Sequence, residues 1–361
     1  MSAQTPRARA SLGDVPPYVA RSHNVRFAPI RYQLAANENP FPPLDSVVDA
    51  VARAALTLNR YPDIANHELR ECIANDLGVK PSQVVPSTGS VAALFHLVTA
   101  YCEPGDEVVY AWRSFEAYPI AATVAGAQAV PIAVAGDGVH DLDAMVAAIT
   151  DRTKLVLLCS PNNPTGPALT HSDVVEFIAR VPSHVVVALD EAYHEFVRMA
   201  DPLRAIDLLA VQSNVVVMRT MSKAGGLAGL RIGYIVSNDE LAAAVHACTL
   251  PFGISSVAQA AAVATIAAKA ELDVRVDAIV EERDRVAATL RTQGFSVPDP
   301  QGNFVWLELG AGTTDFVDAA LQKGISLRAF ADEGVRITIG ETEANDAVLQ
   351  VAASWRMSAA N

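Results

Sequence analysis

KLVLLCSPNNPTG, residues 154–166, begins with six nearly all-apolar residues and ends in a polar turn rich in Asn and Pro. Two later runs have the same form: HVVVAL (184–189) leads into Asp190, and NVVVMR (214–219) leads into Thr220. Short apolar runs of this kind predict strands that are covered on both faces. The three runs therefore predict the centre of a mainly parallel sheet, with polar side chains where each strand ends.

Helical and extended patterns alternate around these runs, which indicates an α/β domain with helices on both faces of its sheet. Helices are predicted over 90–100, 115–124, 142–149 and 172–179, and further strands over 107–110, 127–132 and 231–236. After about residue 243 the alternation ends. A long Ala-rich helical region to about 293 is followed by short strands and helices, which predicts a smaller α+β domain. We expect an arm over 1–33, a large domain over 34–242 and a small domain over 243–361.

Composition narrows the class of protein. The 361 residues are 51% hydrophobic and 19% charged, which argues against disorder along most of the chain. The net charge is −13, and no Lys/Arg cluster occurs, so a nucleic-acid partner is not expected. Four scattered cysteines (Cys72, Cys102, Cys159 and Cys248) are expected to be buried free thiols.

No membrane span or secretory signal is expected. The stretch 241–268 lacks charged residues, but the elbow PFGISS (251–256) interrupts it, which predicts two helices meeting at a turn. The first twelve residues contain no apolar core of a signal peptide. A cytoplasmic protein is expected.

Six polar motifs occur along the chain, and three of them (SPNNPTG, DEAY and SK) come after predicted strands: ANENP (36–40), RYPD (60–63), SPNNPTG (160–166), DEAY (190–193), SK (222–223) with Arg231, and VRIT (335–338). Together they resemble the aminotransferases that depend on pyridoxal phosphate and have the aspartate-aminotransferase fold (fold type I). More narrowly, the chain is similar to the histidinol-phosphate and aromatic aminotransferase group. The resemblance runs from about Tyr18 to the C-terminal helix.

The resemblance implies the architecture and assembly of such enzymes. It implies a seven-stranded sheet in the large domain, pyridoxal phosphate as cofactor, no metal, and a homodimer with shared active sites. The arm would pack on the small domain and on the partner subunit. The substrates would be an amino acid and a 2-oxo acid.

The resemblance also implies roles around the cofactor ring. The cofactor needs a lysine that is deprotonated near neutral pH, and Lys223 is the only Lys in a Ser-Lys context after a buried strand. Lys223 would form the Schiff base and move the proton, and Asp190 would keep the pyridine nitrogen protonated. Asn163 and Tyr193 would donate to the ring oxygen, and Phe115 would stack on the ring.

The cofactor phosphate calls for a helix N-terminus and an arginine. The resemblance assigns it to Ser90 and Val91 at the start of the first helix, to Arg231, and to the hydroxyls of Ser222 and Thr220. Tyr61 would reach the phosphate of the neighbouring subunit. Gly225-Gly226 replaces the bulkier residue of many relatives, which is expected to loosen the segment after Lys223.

The substrate side is also implied by the resemblance. Arg336 would bind the carboxylate, with Arg328 as a second anion contact. The side-chain pocket would be formed by Tyr18, Asn37 and Phe252. Phe252 favours phenylalanine or tyrosine as donor, with 2-oxoglutarate or an aromatic 2-oxo acid as acceptor.

Three alternatives to an aromatic aminotransferase are considered. Histidinol phosphate is the second substrate candidate, because an arginine at 336 suits a phosphate as well as a carboxylate. A decarboxylase on the same fold would use the same Lys and Asp. A transcription regulator with an aminotransferase-like domain is disfavoured, because the motifs leave no room before Tyr18 for a DNA-binding domain.

Overall fold

The three apolar runs form adjacent strands in the computed structural model, which describes residues 7–15 and 29–359. The described strands are β1 (Tyr32–Leu34), β2 (Val84–Ser87), β3 (Glu107–Trp112), β4 (Gln128–Ala133), β5 (Thr153–Cys159), β6 (Val186–Asp190), β7 (Val215–Thr220), β8 (Gly233–Ser237), β9 (Phe304–Glu308), β10 (Ile325–Phe330) and β11 (Gly334–Thr338). The described α-helices are α1 (Asp45–Ala55), α2 (His67–Leu77), α3 (Ser90–Tyr101), α4 (Ala117–Ala125), α5 (Leu142–Ala147), α6 (His171–Arg180), α7 (Ala205–Leu208), α8 (Asp239–Ala247), α9 (Ser256–Ala267), α10 (Lys269–Thr292), α11 (Thr313–Gln322) and α12 (Thr342–Ala359).

The larger sheet has seven strands in the order β2-β8-β7-β6-β5-β3-β4. Its strands are parallel except β8, which runs antiparallel to β7 and β2. The predicted seven-stranded, mainly parallel sheet is therefore confirmed.

Alternate side chains of β5 enter different cores, which explains the uninterrupted apolar run. Leu155 and Leu157 pack with residues of α3, α4 and α8 on one face. Val156 and Leu158 pack with residues of α5, α6 and α7 on the other face. Each of these four side chains is almost fully buried, as expected for a strand that is covered by helices on both sides.

Strand register brings the polar strand ends together. Cys159 at the end of β5 lies opposite Asp190 at the end of β6, and Asp190 lies opposite Met218 in β7. Because the three strands are parallel, the segments that follow them leave the same edge of the sheet. The predicted site residues of these segments are thereby placed side by side.

A second sheet, in the order β1-β10-β11-β9, packs with α10, α11 and α12 around a second core, which also takes in Tyr193, Phe196 and Ala224 of the segments after β6 and β7. It matches the smaller α+β unit, although β1 comes from the N-terminal side of the chain and pairs in parallel with β10. The described arm residue Arg9 donates a hydrogen bond to the Val124 carbonyl of α4, at 2.6 Å.

The packing of α8, α9 and α10 indicates where the small domain begins. The division expected at residue 243 falls inside α8, whose Leu241 and Val245 pack in a core of the large sheet. Ala258 and Ala261 of α9 pack with residues of α1 and α2. We therefore propose that the small domain begins within α10, whose Val276 is the first of its residues in the second core.

The uncharged stretch 241–268 forms α8 and α9 with a turn between them, as predicted. Among the described helices, none is long and apolar enough to cross a bilayer. All four cysteines are free; Cys102 and Cys159 are buried as expected, whereas Cys72 and Cys248 are only half-buried.

Candidate active site

A cleft opens where β5, β6 and β7 end and the second sheet approaches, and it holds about 940 Å³ of empty space including its mouth. Twelve of the predicted site residues line it: Ser90, Val91, Phe115, Asn163, Asp190, Tyr193, Thr220, Ser222, Lys223, Arg231, Arg328 and Arg336. A volume of this order suits a cofactor with a small substrate.

Lys223 extends into the cleft, where its Nζ donates a hydrogen bond to the Ala36 carbonyl oxygen at 2.9 Å. Burial, aided by the charges of Arg336 and Arg231, lowers the pKa of Lys223 to about 7, while Glu38 acts in the opposite direction. A large share of the amine is therefore neutral near pH 7, which is the form that attacks a carbonyl carbon.

Asp190 is buried at the end of β6. Its Oδ2 accepts a hydrogen bond from the Tyr118 hydroxyl at 2.8 Å, and its Oδ1 accepts one from the Ala192 amide at 3.3 Å. Burial raises the pKa of Asp190 to about 6, and these two hydrogen bonds oppose the rise. A carboxylate held in this way would stabilise a protonated nitrogen placed beside it.

Tyr118 was not among the predicted residues. It follows Phe115 by three residues, a spacing that places two side chains on the same side of a helical turn. The two rings meet edge to face with centroids 5.7 Å apart. The spacing was a usable signal, but only the structure shows that the hydroxyl reaches Asp190.

Tyr193 and Asn163 are oriented by hydrogen bonds from neighbouring side chains. Asn37 Nδ2 donates to the Tyr193 hydroxyl at 3.0 Å, and Arg336 Nη1 donates to Asn163 Oδ1. Because each oxygen receives a bond, the Tyr193 O–H and the Asn163 Nδ2 can donate into the cleft. Burial also raises the pKa of Tyr193, which keeps the phenol protonated.

A small pocket for an anion lies where α3 begins. Arg231 Nη1 donates to Ser222 Oγ at 3.3 Å, and its guanidinium passes so close to Gly89 that a Cβ there would meet Nη2 at 2.5 Å. A Cβ at Gly233 would meet the Ser90 amide nitrogen at 2.5 Å. Both glycines therefore leave backbone room around a helix N-terminus beside an arginine, a donor set that suits a phosphate.

Two arginines of the second sheet face the cleft from the other side. Arg328 in β10 lies opposite Arg336 in β11, and both are 8% exposed. Arg336 Nη2 also donates to the Ala35 carbonyl at 2.6 Å. Arg328 forms an ion pair with Glu116, a cleft residue that sequence reasoning missed although it directly follows Phe115.

The remaining predicted residues lie elsewhere. Asn37 is fully buried behind Tyr193 and does not line the cleft, so its contact with a substrate is not supported. The rings of Tyr61 and Phe252 are in contact, with centroids 4.7 Å apart and planes tilted by 32°, outside the cleft of their own chain, and the two residues are 83% and 41% exposed. Tyr18 lies outside the described residues.

The segment after Lys223 is held tightly, contrary to the expectation drawn from Gly225-Gly226. Gly226 has φ +67°, and a Cβ at Gly225 would meet the Met221 carbonyl oxygen at 2.8 Å. Asn39 Nδ2 donates to the carbonyls of Lys223 (3.2 Å) and Ala224 (3.0 Å). The two glycines are therefore required by a tight turn, and Asn39, which belongs to the ANENP motif, clamps it.

Comparison with known proteins is consistent with this geometry. A family model described as aminotransferase class I and II matches residues 30–351. The chain is 47% identical to the aromatic amino acid aminotransferase of Streptomyces coelicolor over 99% of both chains. It is also 47% identical to the enzyme of that name from Rhodococcus jostii, over 97% of this chain and 96% of the relative. The solved histidinol-phosphate aminotransferase from Sinorhizobium meliloti in complex with pyridoxal-5'-phosphate superposes with a TM-score of 0.85 at 29% identity, and the match covers 92% of each chain.

Proposed function

The chain belongs to the class I and II aminotransferases, and from this membership we propose that it transfers an amino group from an aromatic amino acid to a 2-oxo acid. The predicted family, enzyme class and dependence on pyridoxal phosphate are confirmed. The observation that carries the proposal is one cleft in which Lys223, with a pKa of about 7, lies among a buried carboxylate and two arginine-based anion sites.

The donor set of the cleft fits pyridoxal phosphate. The phosphate would be held at the start of α3 by Ser90, Val91, Thr220, Ser222 and Arg231. Asp190 would hold the proton of the ring nitrogen, Asn163 and Tyr193 would donate to the ring oxygen, and Phe115 would cover one face of the ring. When bound, the cofactor supplies an electron-withdrawing ring that stabilises negative charge at the amino acid Cα.

Lys223 and Arg336 would act on the substrate itself. Arg336 would fix the α-carboxylate with its planar guanidinium and thereby orient the Cα–H bond. Lys223 Nζ would then accept the proton from the substrate Cα and donate it to the cofactor. A lysine with a pKa near 7 suits both directions of transfer at neutral pH.

The aromatic donor is supported by the names of the relatives, which share 45–48% identity over nearly the full chain. It is also supported by the lining of the cleft, which includes Phe115 and Phe330. Histidinol phosphate is the second candidate, because Arg328 beside Arg336 provides a second cationic group. The acceptor would be 2-oxoglutarate or an aromatic 2-oxo acid.

The enzyme would act as a homodimer with shared sites. Two aromatic and two aliphatic side chains, Tyr61, Ile64, Leu250 and Phe252, form an exposed patch, which we call the aromatic patch: the Tyr61 and Phe252 rings are in contact, and Ile64 and Leu250 line one cavity. Exposed apolar groups gathered in this way indicate a protein interface. We place Tyr61 and Phe252 at the cleft of the partner subunit, where Tyr61 would reach the phosphate. A cytoplasmic location stays a prediction.

A half-reaction panel tests the proposed function. The enzyme loaded with pyridoxal phosphate is mixed separately with phenylalanine, tyrosine, histidinol phosphate and aspartate, and the cofactor spectrum and released products are followed. We expect the two aromatic donors to react with the highest kcat/KM and to yield their 2-oxo acids without carbon dioxide. Faster reaction with histidinol phosphate would favour the second candidate, and release of carbon dioxide would indicate a decarboxylase.

A further inference from the structure

Thr338, the last residue of β11, is buried outside the cleft but is linked to it by hydrogen bonds. It is 1% exposed and is not among the residues that line the cleft. Its hydroxyl oxygen accepts a hydrogen bond from the Asn37 backbone amide at 2.9 Å and donates one to Asn37 Oδ1 at 3.0 Å. Asn37 Nδ2 in turn donates to the hydroxyl of Tyr193, which lines the cleft. The second sheet is thereby connected to one of the residues that would hold the cofactor ring.

The direction of these bonds follows from the Asn37 backbone amide, which can only donate. Thr338 Oγ1 accepts that bond, and Asn37 Oδ1 is the one acceptor that its own proton reaches among the residues that the structure describes. The side-chain oxygen of Asn37 therefore faces Thr338, and its NH2 group faces Tyr193. If the Asn37 amide were turned over, Tyr193 would donate its proton to Oδ1 and would have none left for the cleft.

The groups around the Asn37 amide are themselves held in place. Asn37 is fully buried, and its φ of +52° lies in the left-handed region, which Asn tolerates better than most residues. Asn303 Nδ2 donates to the Asn37 carbonyl oxygen at 3.2 Å, so both backbone polar groups of Asn37 are bonded. The Tyr193 ring packs edge to face on Phe304, with centroids 5.0 Å apart. The rotation of the Asn37 amide therefore decides which way the Tyr193 proton points.

We propose that Thr338 is a positioning residue for the reaction: its hydroxyl fixes the Asn37 amide so that the Tyr193 proton points into the cleft, toward the ring oxygen of the cofactor. This inference rests on the proposed function, in which Tyr193 donates to that oxygen. Thr338 acts only through Asn37 and contacts neither cofactor nor substrate.

Binding of cofactor forms with and without the ring hydroxyl measures this hydrogen bond separately from folding. Pyridoxamine phosphate is used because it has no aldehyde to react with Lys223, and its 3-deoxy derivative lacks the ring oxygen. Calorimetry on the enzyme freed of cofactor gives the Kd of each. We define the discrimination ratio as the Kd of the 3-deoxy derivative divided by the Kd of pyridoxamine phosphate. A general loss of packing weakens both ligands alike and leaves this ratio unchanged.

Thr338→Val keeps the shape of the side chain and removes its hydroxyl. We expect the discrimination ratio to fall about fivefold, as for the loss of one uncharged hydrogen bond. Thr338→Ser, which keeps the hydroxyl, should stay within about twofold of wild type. Thr338→Ala also lacks the hydroxyl and gives the same readout if the valine variant does not fold. A wild-type ratio in a folded variant without the hydroxyl would overturn the inference.

Thr313→Val provides the matched control. Thr313 is also 1% exposed, and its hydroxyl donates to the Gly310 carbonyl oxygen at 2.7 Å, but it does not line the cleft. Its substitution should leave the discrimination ratio unchanged. A fall equal to that in Thr338→Val would show a general effect of removing a buried hydroxyl and would overturn the inference.

Tyr193→Phe separates this inference from the proposed function. It removes the donor itself, so it should lower the discrimination ratio at least as much as Thr338→Val, and the two substitutions combined should lower it no further. If Tyr193→Phe leaves the ratio unchanged, the proposed role of Tyr193 fails and the inference fails with it. If Tyr193→Phe lowers the ratio and Thr338→Val does not, only the inference fails.

Discussion

At the residue scale, the reactivity of Lys223 depends on side chains that are distant in the sequence. Burial is the main cause of its lowered pKa, and the next largest contribution comes from Arg336, which lies on the second sheet. The Ser-Lys motif after a buried strand was sufficient to locate the lysine. The charge that tunes it could not be predicted from the motif, because it depends on how the two sheets pack.

Chemical labelling of the protein without cofactor should reveal this lowered pKa. Reaction of Lys223 with an amine-directed acylating reagent should rise with pH to a half-maximum near 7, because only the neutral amine reacts. Arg336→Met should move the half-maximum upward, since it removes a positive charge that favours the neutral amine. Mass spectrometry of the peptide measures the labelling, and a midpoint near the ordinary lysine value of about 10.4 would contradict the account.

The carboxylate of Asp190 should matter far more for turnover than for folding. Asp190→Asn removes the charge that would hold the ring proton, and we expect kcat to fall by at least about a hundredfold. Tyr118→Phe removes only a hydrogen bond to Oδ2, and we expect a loss of about tenfold or less. Steady-state kinetics on both variants checks this order, which would be refuted if Asp190→Asn retained nearly full activity.

At the element scale, the central strands were predictable because their apolar runs are local features. The structure shifts their ends by only one or two residues, as in β5, which spans Thr153–Cys159 where 154–159 was predicted. In contrast, β2 was not predicted, since it has only four residues and contains Pro86. The helices α1 and α2 were also missed, and their buried side chains pack against α9, a contact that sequence periodicity does not show.

The turn after β7, which follows Lys223, is a second case in which the sequence alone did not predict the packing. Its two glycines suggested a loose segment, but the positive φ of Gly226 and the contact at Gly225 with Met221 show a close-packed turn. Whether a glycine provides flexibility or fits a confined position depends on its tertiary neighbours.

Alanine substitution separates these two roles of glycine. Gly226→Ala forces a side chain into the left-handed region, and we expect the free energy of unfolding to fall by about 1–2 kcal/mol. Gly229→Ala is the control, because a Cβ at Gly229 would meet no atom within 4 Å and the φ of this residue is not in the left-handed region. Denaturant unfolding should place the control within about 0.5 kcal/mol of wild type. Equal stability of both variants would support a loose turn.

At the scale of the whole molecule, the chain carries a net charge of −13 and yet has a cleft for anions. Arg231 at the start of α3, and Arg328 and Arg336 on the second sheet, are local exceptions to this acidic background. The net charge follows from composition, but composition gives no information on these local cationic groups of the cleft. The exposed aromatic patch is a second feature of the whole molecule, and exposed apolar groups of this kind are typical of protein interfaces.

We expect a particle of twice the chain mass of 38.2 kDa in solution, formed through the aromatic patch. Leu250→Asp, at a position that is 71% exposed, should yield monomers with reduced activity, because burying a charge in an interface is unfavourable. Val211→Asp, at a position that is 73% exposed and lies outside the patch, should remain dimeric. Light scattering measures the mass, and a fully active wild-type monomer would contradict the shared site.

Covalent mapping of the cofactor shows which lysine forms the Schiff base. The enzyme loaded with pyridoxal phosphate is reduced with borohydride, digested and analysed by mass spectrometry. We expect stoichiometric attachment at Lys223, and loss of the attachment in Lys223→Ala. Attachment at another lysine, or none in the reduced wild-type enzyme, would contradict the assignment of this cleft as the active site.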